Sequence, residues 1–170
     1  MTLANYLYAL VYSDIYDEDK WQIWAENILE NAEYDDNTEW VYNVFWATSK
    51  QKVFDAISER MFCEDYFNFN SHVITEIIQG YYYYLYQSKT ISLYDMLERS
   101  GDVADAREDS SMGCEFFYNL LNKIDKDPAI VDSADFQEKI SKYYEPLYFA
   151  AMEQKRKLES ATIDDLKLDL

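Results

Sequence analysis

The stretch Ser71–Gln87, SHVITEIIQGYYYYLYQ, constrains the fold more than any other part of this chain. At about 100° per residue, Ile74, Ile77, Ile78, Tyr81 and Leu85 share one helical stripe, while Glu76, Gln79, Tyr83 and Gln87 lie opposite. That pattern predicts a core helix with a narrow wet edge. Four consecutive tyrosines cannot share one helix face, so Tyr82, Tyr84 and Tyr86 must meet neighbours on other sides. The prediction is a Tyr-rich helix (71–88) at the centre of a bundle, with each buried hydroxyl needing a partner. Gly80 inside this helix costs about 1 kcal/mol relative to Ala, which predicts a close crossing by another helix.

The rest of the chain reads as helices joined by short polar loops. Three glycines and two prolines in 170 residues are too few for the turns of a β-sandwich. The expected fold is all-α, a single domain over residues 1–170 with about seven to nine helices. Residues 2–12 form the first, with Leu3, Leu7, Leu10 and Val11 inward. The second, Glu18 to Ala32, buries Trp21, Trp24, Ala25, Ile28 and Ala32. Asp36 and Glu39 form a capping box for a third, Glu39 to Thr48, which shows Tyr42 and Trp46 on a separate side from Trp40, Val41, Val44 and Phe45. Ser49 caps a fourth, running to Tyr66 around Val53, Ala56, Ile57 and Met61, and residues 65–70 form a loop. Ser92 and Asp95 box a helix that Gly101 closes, and residues 102–111 read as a mobile surface loop. A helix from Met112 to Lys126 turns Phe116, Phe117, Leu120, Leu121 and Ile124 inward. Asp135 and Glu138 open the last long helix, which Pro146 kinks or divides. Residues 161–170 form either a last turn after Thr162 or a loose acidic tail.

Charge carries the functional information. The net charge is -18, from 33 acids and 15 bases. Half of it lies between Asp14 and Glu39, where ten acids (Asp14, Asp17, Glu18, Asp19, Glu26, Glu30, Glu33, Asp35, Asp36, Glu39) meet one base, Lys20. On the second helix Asp19, Gln22, Glu26, Glu30 and Glu33 fall within about 80° of one another, a carboxylate ridge without basic partners at i+4. Like charges so spaced cost a few tenths of a kcal/mol each, a liability that no structural role requires. Ile23 lies beside the ridge and is expected to be exposed, the arrangement of an interface anchor inside a charged rim. A second acidic zone, Asp102 to Asp135, includes Asp102, Asp105, Glu108 and Asp109.

Such a charge repels nucleic acid and anionic membranes and attracts a basic protein. No phosphate loop, nucleophile with a base, or His and Cys cluster supports an enzyme. His72 is the only histidine, and Cys63 and Cys114 sit among phenylalanines as buried hydrophobes. An EF-hand beginning at Asp125 would need Gly where Ile130 stands and Glu where Phe136 stands. No cofactor, no metal and no membrane contact are expected, and the absence of a leader-like or 18-residue apolar segment reads as cytoplasmic.

In composition, helical patterning and patchy acidity the chain resembles the immunity proteins of bacterial contact-dependent growth inhibition and polymorphic-toxin systems. The resemblance spans the whole chain and is one of class, with no shared motif. It implies an inhibitor that binds a cognate basic toxin domain, most often a nuclease, with RNase favoured, and covers its active site. The surface expected to do so comprises Asp14, Asp17, Glu18, Asp19, Glu26, Glu30, Glu33, Asp35 and Asp36 with Tyr16, Ile23 and Tyr34 as apolar contacts. Asp102, Asp105, Glu108 and Asp109 form a second candidate patch. The alternative is a nucleic-acid mimic, since phage-encoded inhibitors of restriction or defence nucleases are similar in composition. Two separated acidic patches and a nearly neutral C-terminal stretch suit a long duplex mimic less well.

Overall fold

The computed structural model describes residues 2–30, 32–63, 71–106 and 111–168, with side chains described except at 61–63, 71–72 and 167–168. Among these residues there are nine α-helices and no strand: α1 (Leu3–Tyr12), α2 (Glu18–Leu29), α3 (Glu39–Phe45), α4 (Lys50–Cys63), α5 (Ser71–Gln87), α6 (Leu93–Asp105), α7 (Cys114–Lys126), α8 (Ala134–Glu159) and α9 (Ile163–Leu168). A short 3-10 helix, Pro128–Asp132, follows α7. The chain divides into two compact units, Met1–Asn70 with Gln154–Leu170, and Ser71–Glu153.

In the first unit, α1 is capped by Thr2, whose hydroxyl accepts the Asn5 N–H, and it buries Leu7, Leu10 and Val11 completely. It ends in a Schellman turn. The Ile15 N–H bonds the Leu10 carbonyl at 3.0 Å and the Asp14 N–H bonds the Val11 carbonyl at 3.3 Å, leaving Asp14 left-handed at φ 63. Asp17 caps α2 by accepting the Lys20 N–H at 3.2 Å. From α2, Trp21, Trp24, Ala25 and Ile28 enter the core. The Trp24 indole donates to the Leu158 carbonyl at 3.1 Å, and its ring lies 5.8 Å from that of Trp40.

Several boundaries differ from expectation for local reasons. α2 ends at Leu29 rather than Ala32, so Glu33 stands on a loop and Ala32 is only half-buried. The Asp36–Glu39 capping box does not form. Instead Asp35 accepts the N–H groups of Asn37 and Thr38, each at 2.9 Å, a tighter local turn that takes the donors first. α3 stops at Phe45 because the Ala47 N–H turns to the Val44 carbonyl instead of continuing the α pattern. Ser49 does cap α4, accepting the Lys52 N–H at 3.4 Å, and Val53, Ala56 and Ile57 are buried. The expected end of α4 at Tyr66, the 65–70 loop and the side chains of Met61, Cys63 and His72 lie outside what is described. The C-terminal segment folds: Asp165 accepts from the Thr162 N–H at 2.7 Å and its hydroxyl at 3.0 Å, and α9 buries Leu166.

In the second unit, α5 begins at Ser71 as predicted and ends at Gln87, one residue short of the expected 88, and Ile74, Ile77, Ile78, Tyr81 and Leu85 are buried. The predicted wet edge is largely absent, since Gln79 and Tyr83 are buried too. Gln79 donates to the Ser100 carbonyl at 3.2 Å and accepts the Tyr143 hydroxyl at 2.7 Å. The Tyr144 hydroxyl donates to Ser100 Oγ at 2.7 Å, and its ring stacks on Tyr83 at 5.3 Å and 12°. A polar side chain that meets both an acceptor and a donor in the interior no longer needs water. Gly80 does mark a close crossing, for its Cα faces the backbone of Leu147 on α8.

The Ser92–Asp95 capping box forms. α6, however, continues past Gly101 to Asp105, so residues 102–105 are helical rather than a loop. Gly101 is a packing residue and not a cap: a Cβ there would lie 2.7 Å from the Tyr118 ring. α7 buries Phe117, Leu120 and Leu121, with Phe116 and Ile124 half-buried. Cys114 is half-buried rather than buried, and its thiol donates to Asp105 at 3.4 Å. Ser133, not Asp135, caps α8 by accepting the Phe136 N–H at 3.3 Å. Pro146 does not divide α8; its ring sits on the exposed side, where only one helical donor is missing.

Burial raises the phenols of Tyr143 and Tyr144, and burial followed by the Glu159 carboxylate raises that of Tyr16. An unfolded tyrosine ionises near pH 10, so above that pH the unfolded chain holds fewer protons than the folded one. The stability these three groups support is complete below about pH 10 and is lost as pH rises towards their folded values. Urea denaturation between about pH 8 and pH 11 is expected to show a falling midpoint, less steep when Tyr143 and Tyr144 are both Phe. An unchanged midpoint would contradict this.

Candidate protein-interaction surface

The α2–loop–α3 segment of the first unit carries most of the predicted residues. Asp17, Glu18, Asp19, Glu26, Glu30, Glu33, Asp35 and Asp36 are all exposed. Three of the acids have assigned work. Asp14 pairs with Lys50 at 2.7 Å, Asp17 pairs with Lys20 at 3.4 Å, and Asp35 makes the turn before α3. The Asp17 carboxyl, raised by slight burial, is lowered further by the Lys20 amide and ammonium and ends below its usual range. Glu18, Asp19, Glu26, Glu30, Glu33 and Asp36 form no ion pair among the described residues.

Apolar side chains emerge among these carboxylates. Ile23 is 56% exposed, Tyr34 61% and Trp46 61%. A leucine-sized side chain exposed to that extent forgoes on the order of 1 kcal/mol of burial, and three in one segment go beyond ordinary scatter. Tyr16, expected among them, is 6% exposed and faces Glu159, so it offers no surface. Trp46 takes its place. Its ring lies 5.5 Å from Tyr42, which lies 5.2 Å from Tyr34, giving a ladder of three aromatics. The i, i+4 spacing of Tyr42 and Trp46 made that pair legible, whereas the addition of Tyr34 depends on how the loop folds back.

Neighbouring bonds hold this surface in place. Gln22, counted in the carboxylate ridge, is half-buried and donates to the Ala47 carbonyl at 3.3 Å, tying α2 to the residue after Trp46. The Tyr34 phenol is raised, first by its hydrogen bond to Glu39 and also by the Asp36 charge. A cleft of about 210 Å³ opens beside α3, lined by Asp36, Glu39, Trp40, Asn43, Glu59 and Arg60 among others.

No family model, curated protein or solved structure matches this chain. The surface itself is therefore the basis for any functional reading. Among the described residues no three His, Cys, Asp or Glu side chains form a group that could hold a metal, and no helix is long and apolar enough to cross a membrane.

The second acidic patch is more committed to its own unit. Asp102 accepts the Tyr118 hydroxyl at 3.0 Å, which together with slight desolvation pushes that phenol up to about 12. Asp105 accepts the Cys114 thiol, and Glu108 and Asp109 lie outside the described residues. The second unit also exposes Phe149, at 66%, with its ring 5.5 Å from that of Tyr148, an exposure that its place on α8 did not reveal.

Proposed function

We propose that this protein is an immunity protein, which binds a basic toxin domain and neutralises it by laying the α2–α3 surface over the toxin's cationic active-site cleft. The observation that carries this reading is the exposure of Ile23, Tyr34 and Trp46 beside Glu18, Asp19, Glu26, Glu30, Glu33 and Asp36, which form no ion pair among the described residues. Unpaired carboxylates steer a basic partner and raise its association rate towards about 10⁸ M⁻¹s⁻¹ at low salt. In cells that attraction fades beyond about 8 Å, so the lifetime of the complex must come from the apolar contacts. A nuclease is the favoured target because its cleft must already be cationic to hold a phosphate backbone. Large exposed apolar side chains suit a protein interface better than phosphate mimicry, which needs carboxylates alone.

Tagged protein, exposed to an extract of its source cells at low salt, is expected to retain a basic polypeptide that elutes only at high salt or in denaturant. Freed and refolded, that polypeptide should degrade RNA or DNA and fall silent when the protein is returned. The double substitution Glu26→Lys with Glu30→Lys is expected to slow association at least about tenfold at low salt, with the difference shrinking as salt is added. A retained nuclease that stays fully active in the complex would sink the proposal. A restriction-type nuclease displaced by duplex DNA would favour the mimic instead.

A further inference from the structure

Among the described residues, three aromatic rings carry one of the chain's own cations: Lys50 lies over Phe54 at 5.8 Å, Arg99 over Tyr82 at 5.9 Å and Lys139 over Phe116 at 5.1 Å. Among the described residues, no Lys or Arg lies over the Tyr34–Tyr42–Trp46 ladder. This ladder has two strongly exposed members, Tyr34 and Trp46, with Tyr42 half-buried between them, and stands beside Asp36 and Glu39. Its rings are tilted by 47° and 35° from step to step rather than stacked flat on one another, and Tyr34 and Trp46 are each 61% exposed. A cation over an aromatic face is attracted by the ring quadrupole, and neighbouring carboxylates add to that attraction.

We infer that the Tyr34–Tyr42–Trp46 ladder is an arginine-reading surface, on which a guanidinium of the basic partner stacks while the carboxylates of Asp36 and Glu39 hold its charge nearby. Arginine is specified over lysine because its planar, weakly hydrated guanidinium stacks on a ring and still donates hydrogen bonds at its edge, whereas an ammonium must shed a tight hydration shell. A second copy of the chain is disfavoured as the occupant, since each copy carries a net charge of -18. The inference deepens the immunity reading and rests on it for the identity of the partner.

The test uses the full-length protein and two labelled nonapeptides, one all arginine and one all lysine, at about 0.15 M salt. The arginine peptide is expected to bind about threefold or more tightly and to quench the tryptophan emission exposed to solvent. Trp21, Trp24 and Trp40 are 4–5% exposed, so that signal belongs to Trp46. Trp46→Ala, a surface change whose folding is checked by circular dichroism, should bring the two affinities together. Glu26→Lys with Glu30→Lys should weaken both peptides alike. Equal affinities in the unaltered protein, or discrimination that survives Trp46→Ala, would overturn the arginine assignment while leaving the acidic surface standing. Failure of both peptides to bind would overturn the acidic-surface reading as well. A dimer that Trp46→Ala abolishes would assign the ladder to a second copy and overturn the inference.

Discussion

Gly80→Val is expected to remove about 3 kcal/mol or more of stability and to leave the second unit poorly packed. A Cβ at this position would press on the carbonyl oxygen of Leu147, 2.6 Å from the carbonyl carbon and 2.9 Å from the Ala151 Cβ. Two of those three neighbours are backbone atoms, which cannot rotate aside as a side chain can. Relief requires α5 and α8 to move apart, and that would open the contacts of Tyr83 with Tyr144. Gly80→Ala separates this effect from helix propensity. Alanine gains about 1 kcal/mol in a helix interior, so a net loss on Gly80→Ala can come only from the crossing. Urea denaturation followed by circular dichroism measures both variants. A Gly80→Ala protein more stable than the parent would show that the helices do not approach as described.

Tyr144→Ala is expected to cost about 3–5 kcal/mol, as large buried aromatic truncations do. Tyr144 is completely buried, packs on Tyr83, Phe117 and Tyr143, and donates through its hydroxyl to Ser100. Tyr144→Phe keeps the packing and removes only the hydroxyl. Its cost should be about 1 kcal/mol, since Ser100 Oγ can redirect its own hydrogen. Gln79→Leu is the harsher polar change, for it removes the side-chain donor to the Ser100 carbonyl and the acceptor of the Tyr143 hydroxyl together. A double-mutant cycle between Gln79→Leu and Tyr143→Phe should show coupling of about 0.5 kcal/mol or more. Strict additivity would mean that the two side chains do not share a bond.

The helical class, the start of α5 and its apolar stripe were legible in the sequence, because 3.6-residue periodicity is a local property that neighbours along the chain express directly. The exposure of Ile23 was legible for the same reason: its position relative to Trp21, Trp24 and Ile28 follows from helix geometry alone. The concentration of charge between Asp14 and Glu39 is likewise a fact of composition.

Helix ends were less legible. They depend on which of several nearby acceptors takes the first free donors, and at α3 Asp35 rather than Asp36 does so. Gly101 and the following residues read as a cap and loop, yet an aromatic ring 17 residues further on, Tyr118, makes the same glycine a helix interior packed closely. Of the proposed surface, composition and helix periodicity alone placed the carboxylates and left Ile23 projecting among them. Long-range packing buries Tyr16, folds Tyr34 back on Tyr42 beside Trp46, and takes Gln79 and Tyr83 from the expected wet edge into the core. The physical reason is distance along the chain. Gln79 meets its partners 21 and 64 residues away, and Trp24 meets Leu158 across 134. No local periodicity records bonds of that span.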